Sequence, residues 1–99
     1  MSVILFYSSI AGNLKIKSDT ANIERLLEIK NIPFEKVDCA QDCNKPRRLQ
    51  MREIAGTPAL PQVHVVPSDG EQRYIGGWLD LADANEGGLL EQLLGVQQA

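Results

Sequence analysis

An α/β fold is what this sequence predicts, and three observations predict it. The run Val3-Ile4-Leu5-Phe6-Tyr7-Ser8 is apolar and aromatic throughout and closes on serine, the pattern of a strand covered on both faces. From about residue 19 to 31, Ile23, Leu26, Leu27 and Lys30 recur at spacings of three and four, with Ile29 widening the stripe, which is one face of a helix. Phe34-Glu35-Lys36-Val37-Asp38-Cys39 follows the Asn31-Ile32-Pro33 break and reads as a second strand. Strand, helix, strand at this spacing makes a parallel pair with a right-handed crossover.

Each element has a local cause. Ser18-Asp19-Thr20 offers capping side chains for the first helix. Asn44 is the expected N-cap of a second helix, with Pro46 in its first turn. Leu49, Met51, Ile54 and Ala55 form its apolar face, and Gly56 ends it. Residues 62 to 66 alternate and pair with 72 to 76 across Pro67-Ser68-Asp69-Gly70, a hairpin signal because proline presets one turn dihedral and glycine allows another. A last helix from about 79 to 94 carries Leu79, Ala82, Leu89, Leu90, Leu93 and Leu94, interrupted near Glu86-Gly87-Gly88. The order is β-α-β-α-β-β-α.

The 99 residues suit one domain spanning 1–99 and are too few for two. A hydrophobic share of 43% excludes a disordered chain. The net charge of -3 argues against neutralising phosphates, so no nucleic-acid partner is expected. The one dense positive cluster, Lys45-Pro46-Arg47-Arg48 with Arg52, has Glu35, Asp38, Asp42 and Glu53 close in sequence and reads as a solvated helix face. Val3-Ile4-Leu5-Phe6 is too short for a signal peptide, and no stretch reaches the ~20 apolar residues that span a bilayer, so no membrane partner is expected. Cys39 and Cys43 are expected as thiols in a reducing cytoplasm. A monomer is expected.

With these elements placed, the chain resembles the SH3-domain-binding glutamic-acid-rich-like proteins, a glutaredoxin-like branch of the thioredoxin-fold superfamily. Tyr7-Ser8-Ser9 with Gly12, Ile16-Lys17-Ser18, and Val37-Asp38 followed by Ala40-Gln41-Asp42 carry the resemblance, as do Met51-Arg52 followed by Ile54-Ala55-Gly56, and Pro61-Gln62-Val63. The resemblance implies a three-layer sandwich around a four-stranded mixed sheet, with a cis Leu60-Pro61 bond facing a groove. It also implies an adaptor or modulator rather than an efficient oxidoreductase. The family's proline-rich stretch is here only Pro58-Ala59-Leu60-Pro61, whereas an SH3 ligand must lie exposed as a polyproline II helix.

The loop after the first strand, Tyr7-Ser8-Ser9-Ile10-Ala11-Gly12-Asn13, holds no cysteine. A thiolate carries out dithiol exchange, and a serine hydroxyl cannot replace it at neutral pH. Ser8 and Ser9 would need a neighbouring base, and the only histidine, His64, falls in a strand whose alternation does not aim it at the loop. The expected groove is therefore Ser8, Ser9, Leu60, Pro61, Gly76, Gly77, Trp78 and Asp80, and the expected partner loop, within residues 8–17, offers Gly12, Asn13, Lys15 and Lys17. Gly76-Gly77 followed by Asp80 resembles the glutaredoxin segment that binds glutathione. Trp78 stands there in place of a small residue and can instead occupy the groove, while Asp80 can simply favour its helix dipole. No cofactor and no metal are expected, since two cysteines do not complete a zinc site. A protein partner is the leading expectation; the alternative is a glutathione-dependent thiol-disulfide enzyme using Cys43, with Cys39 as a core residue.

Overall fold

The computed structural model describes residues 2–10, 12–68 and 70–95. Strand β1 (Ser2–Tyr7) is followed by helix α1 (Leu14–Ile29), strand β2 (Glu35–Asp38) and, after a 3-10 turn at Asp42–Asn44, helix α2 (Lys45–Ala55). Strands β3 (Gln62–Val66) and β4 (Arg73–Gly76) form the hairpin, and α3 (Trp78–Glu86) and α4 (Leu90–Leu94) are the last elements among the described residues. The sheet order is β2-β1-β3-β4. β2 lies parallel to β1, whereas β3 is antiparallel to β1 and β4 to β3. This is the mixed four-stranded sheet that the resemblance implied.

Alternation along β1 builds the layers. Val3 and Leu5 join Val63 and Val65 in a core closed by Ile23, Leu26, Leu27, Leu81, Leu90 and Leu94 from α1, α3 and α4. Ile4 and Phe6 point the other way, into a smaller core with Val37, Cys39 and Met51. Both faces of β1 are thus buried, which is why its run is apolar without a break.

The structure corrects several of these expectations. Helix α1 begins at Leu14, not near 19, because Asn13 is its N-cap and accepts the Lys15 N–H at 2.8 Å. The expected caps lie inside the helix: Thr20 Oγ1 donates to the Ile16 carbonyl at 2.7 Å, and Asp19 pairs with Lys15 at 2.7 Å. Ile29, expected in the buried stripe, is exposed; the chain reverses just after it, with Asn31 at φ 57° and the Ile32 N–H donating to the Leu27 carbonyl at 2.9 Å. On α2 only Met51 is fully buried, while Leu49 and Ile54 face solvent.

The last helix is two, because Gly88 adopts φ 72° and the Leu89 N–H turns back to the Ala84 carbonyl at 2.7 Å. Past that break Leu89 and Leu93 are exposed while Leu90 and Leu94 turn inward; before it, in the first turn of α3, Leu79 is exposed and Leu81 is buried. The hairpin turn closes with Gly70 N–H on the Pro67 carbonyl at 3.4 Å, and Asp69 lies outside the described residues.

Candidate functional site

Strand register brings the expected groove residues to one end of the sheet. In the β1–β3 ladder Phe6 stands opposite Gln62, so the next steps along the chains set Tyr7 and Ser8 beside Pro61 and Leu60. The Leu60-Pro61 peptide is cis, and Pro61 is buried. Gly77 lies against it: a side chain there would meet the Pro61 carbonyl oxygen at 3.4 Å. Gly76 has φ 147°, and a side chain on it would come within 2.6 Å of Asp80 Cγ. The Asp80 carboxylate in turn accepts the Gly77 N–H at 3.1 Å, satisfying a donor at the start of α3. The two glycines therefore have structural tasks, one admitting the Asp80 carboxylate and the other the Pro61 main chain. Trp78 is half-buried, its side chain packed against the core between the sheet and α1.

The loop between β1 and α1 is held by an acid that the sequence reading used only as part of a motif. Asp38 pairs with Tyr7 at the end of β2, and its Oδ1 accepts the N–H of Ser9 and the N–H of Ala40, both at 3.0 Å. Hydrogen bonding from Ser9, before Ala40 and Gln41, holds its pKa below the ordinary carboxylate value despite burial. The strand end is fastened further by the Cys39 N–H on the Tyr7 carbonyl at 2.7 Å and by Asn44 Nδ2 on the Asp38 carbonyl at 3.0 Å. Asn44 spends its side chain on that bond rather than on capping α2. The sequence signal was an acid at the far end of the strand parallel to β1, whose meaning depends on register.

The expected 8–17 loop is shorter than anticipated. Gly12 and Asn13 belong to it, but Lys15 and Lys17 stand on the first turn of α1. Lys17 lines a cavity of about 220 Å³ with Tyr7, Ser8, Ser9, Thr20, Glu24 and Lys36. Lys36 Nζ pairs with Glu24 and lies 4.6 Å from the centroid of the Tyr7 ring; the Glu24 carboxylate raises its pKa. Three large apolar side chains stand out at this end: Ile10 and Leu14 are each 80% exposed and Leu79, in the first turn of α3, is 70% exposed. β1 and β4 run in the same direction, so the helices that follow them start at the same end of the sheet.

Both cysteines are free. Burial raises the Cys39 thiol above its ordinary pKa, partly opposed by Arg48. Leu60 packs against the core cluster that contains Cys39, but that thiol is buried and favours its protonated form. Cys43 is exposed in the turn before α2. No group of three or more histidine, cysteine or acidic residues that could hold a metal occurs among the described residues, and no helix among them is long and apolar enough to cross a membrane. His64 is wholly buried on the α2 side of β3, and desolvation lowers its pKa to about 4.

Known structures share this architecture. C. albicans actin interacting protein Aip5 matches with a TM-score of 0.67 at 29% identity, covering 94% of this chain and 87% of that one. A buckwheat glutaredoxin solved with glutathione matches with a TM-score of 0.67 at 13% identity, covering 94% of this chain and 76% of that one. A wheat glutaredoxin matches at 0.66 and 22%, covering 93% and 76%. Fold and site together define a glutaredoxin-like domain of the thioredoxin fold with no cysteine in the loop after its first strand. The family model described as SH3-binding, glutamic acid-rich protein matches residues 1–97. The chain belongs to that family.

Proposed function

We propose that this chain is a redox-inactive, glutaredoxin-like binding module that holds a protein partner at the end of the sheet where the β1–α1 loop, the Leu60-Pro61 turn and the start of α3 meet. The observation that carries this reading is the exposure of Ile10, Leu14 and Leu79 around a position that lacks a nucleophile. Large apolar side chains exposed at one end of a small domain are more economically explained by a partner than by stability. Lys15 and Lys17 border the same end and would favour an acidic rim on that partner. The resemblance to an actin interacting protein makes actin the first candidate to test. SH3 recognition through Pro58-Ala59-Leu60-Pro61 is not part of the reading, because Pro61 is buried.

Co-sedimentation with actin filaments, and titration with monomeric actin, test the partner. Binding that weakens at least tenfold in an Ile10→Asp, Leu79→Asp double variant supports this surface, and equal binding by the double variant removes it. Redox inactivity is tested separately by glutathione-dependent reduction of a small mixed disulfide. The expected rate equals the uncatalysed one; a catalysed rate that disappears in Cys43→Ser would instead establish the enzyme reading.

A further inference from the structure

The core on the α2 side of the sheet contains a chain of polar side chains that ends on the groove wall. Gln62 and His64 are 1% and 0% exposed. Gln62 Nε2 donates to the main-chain carbonyls of Thr57, at 3.2 Å, and Ala59, at 2.7 Å, the segment that leads into Leu60-Pro61. An amide nitrogen can only donate and a carbonyl can only accept, so these contacts fix the direction in which the Gln62 amide faces. Its Oε1 must then face His64 Nε2, 2.6 Å away, and that ring nitrogen must carry the proton. Nδ1 is left bare and accepts from Gln72 Nε2 at 3.0 Å. Every donor in the chain points one way, from the hairpin toward the groove.

The other end is accessible. Gln72 is half-buried and lines an open cleft of about 650 Å³ between α2 and the hairpin, with Glu53, Ile54 and Glu71. Between the two ends the imidazole is held edge-on to Phe6, with ring centroids 4.9 Å apart, and tilted against Tyr74 at 5.5 Å.

We infer that Gln72, His64 and Gln62 form a two-position relay, in which the hydrogen-bond direction set at Gln72 decides whether the carbonyls before Leu60-Pro61 are held. The second position follows from the donor inventory. With the proton on Nδ1 instead, Nε2 becomes an acceptor and the Gln62 amide must turn to donate to it. Gln62 Oε1 then faces the Thr57 and Ala59 carbonyls, which lose their donor and repel it. Adding a second proton to the ring does not have this effect, because Nε2–H persists and the half-buried Gln72 can turn its own amide to accept from Nδ1. The relay therefore responds to the tautomer rather than to charge, and both sites bias one element with two discrete arrangements. It operates whether or not a partner occupies the groove, so it stands apart from the binding reading.

Long-range nitrogen spectra of the His64 ring at neutral pH test the first step. The expected pattern is a proton on Nε2 and a bare Nδ1; a proton on Nδ1 alone overturns the inference. Amide spectra test the coupling. Gln62→Leu displaces the signals of Ala59, Leu60 and Gly77, and Gln72→Ala, made at the far end, is expected to move the same signals part of the way along the same line. Glu71→Ala, on the same cleft, should leave them in place. Shifts in Gln72→Ala that stay within the hairpin overturn the inference. The wild-type ring spectrum and the comparison of Gln72→Ala with Glu71→Ala decide the matter even if Gln62→Leu does not fold.

Discussion

Acidification should destabilise this domain in a pH range that belongs to one histidine. His64 is buried and its pKa is lowered from 6.5 to about 4 by desolvation. Between those values the unfolded chain binds a proton that the folded chain refuses, so stability rises with pH across the window. It is complete above the unfolded value, falls as pH drops below it, and levels off once the folded form also protonates. Each unit of difference corresponds to about 1.4 kcal/mol, so the loss between pH 7 and pH 4 is roughly 3 kcal/mol, a large part of the ~5–15 kcal/mol that holds such a domain together. With a urea m-value of about 1.5 kcal/mol/M, the midpoint should fall by about 2 M. Urea unfolding followed by Trp78 fluorescence at half-unit pH steps measures it, with His64→Phe as the non-titrating control. Asp38 and Glu35, whose ordinary values are 3.8 and 4.5, enter mainly below pH 5. A wild type whose midpoint stays flat between pH 6.5 and 5, or a slope there that survives in His64→Phe, refutes the reasoning.

Four further outcomes are expected. Asp38→Ala removes the acceptor of two main-chain N–H groups and should cost about 2–3 kcal/mol, read as a lower urea midpoint and faster exchange of the Ser9 amide. Because the Asp38 pKa is lowered in the fold, its contribution is present above its ordinary value and is lost as pH falls through the depressed one. Gly76→Ala should destabilise by at least ~1–3 kcal/mol from its positive φ alone; adding Asp80→Ala should recover only the part due to crowding, and full recovery in calorimetry would contradict the φ assignment. Arg47 makes two bonds to Glu35, at 2.7 and 3.1 Å, but both side chains are substantially exposed, so Arg47→Ala should cost under about 1 kcal/mol and less in high salt. Leu79→Asp should alter the melting free energy by no more than ~0.5 kcal/mol, since the side chain touches little.

Legibility in the sequence followed periodicity. The unbroken apolar run of β1, the Ile23-Leu26-Leu27 stripe and the turn residues between β3 and β4 each reported their own structure, because strands buried twice and helices buried once leave distinct local patterns. The start of α1 was misread because Ser18-Asp19-Thr20 offers three capping side chains, whereas Asn13 offers one and is the one used. Leu89 and Leu93 depart from the expected face because the turn at Gly88 rotates the last segment relative to α3, and Leu79 does so because α3 buries Leu81 rather than its first turn. At the site, Pro61 and Gly77 were marked out by the family resemblance rather than by periodicity. The roles of Asp38 and of the Gln62, His64 and Gln72 side chains were not legible, since their partners are set by which strand lies beside which, and alternation alone assigns Gln62 and His64 to a solvent face although both are buried.

The Asp38 carboxylate also bears on what a thiol placed in this loop could do. A thiol placed by Ser9→Cys would stand in the field of an acid that already grips the local main chain, and a neighbouring negative charge disfavours ionised sulfur. Removing the carboxylate to favour a thiolate would also remove the acceptor that anchors the loop presenting it. The carboxylate that steadies this loop is thus the same group that would oppose an ionised sulfur within it.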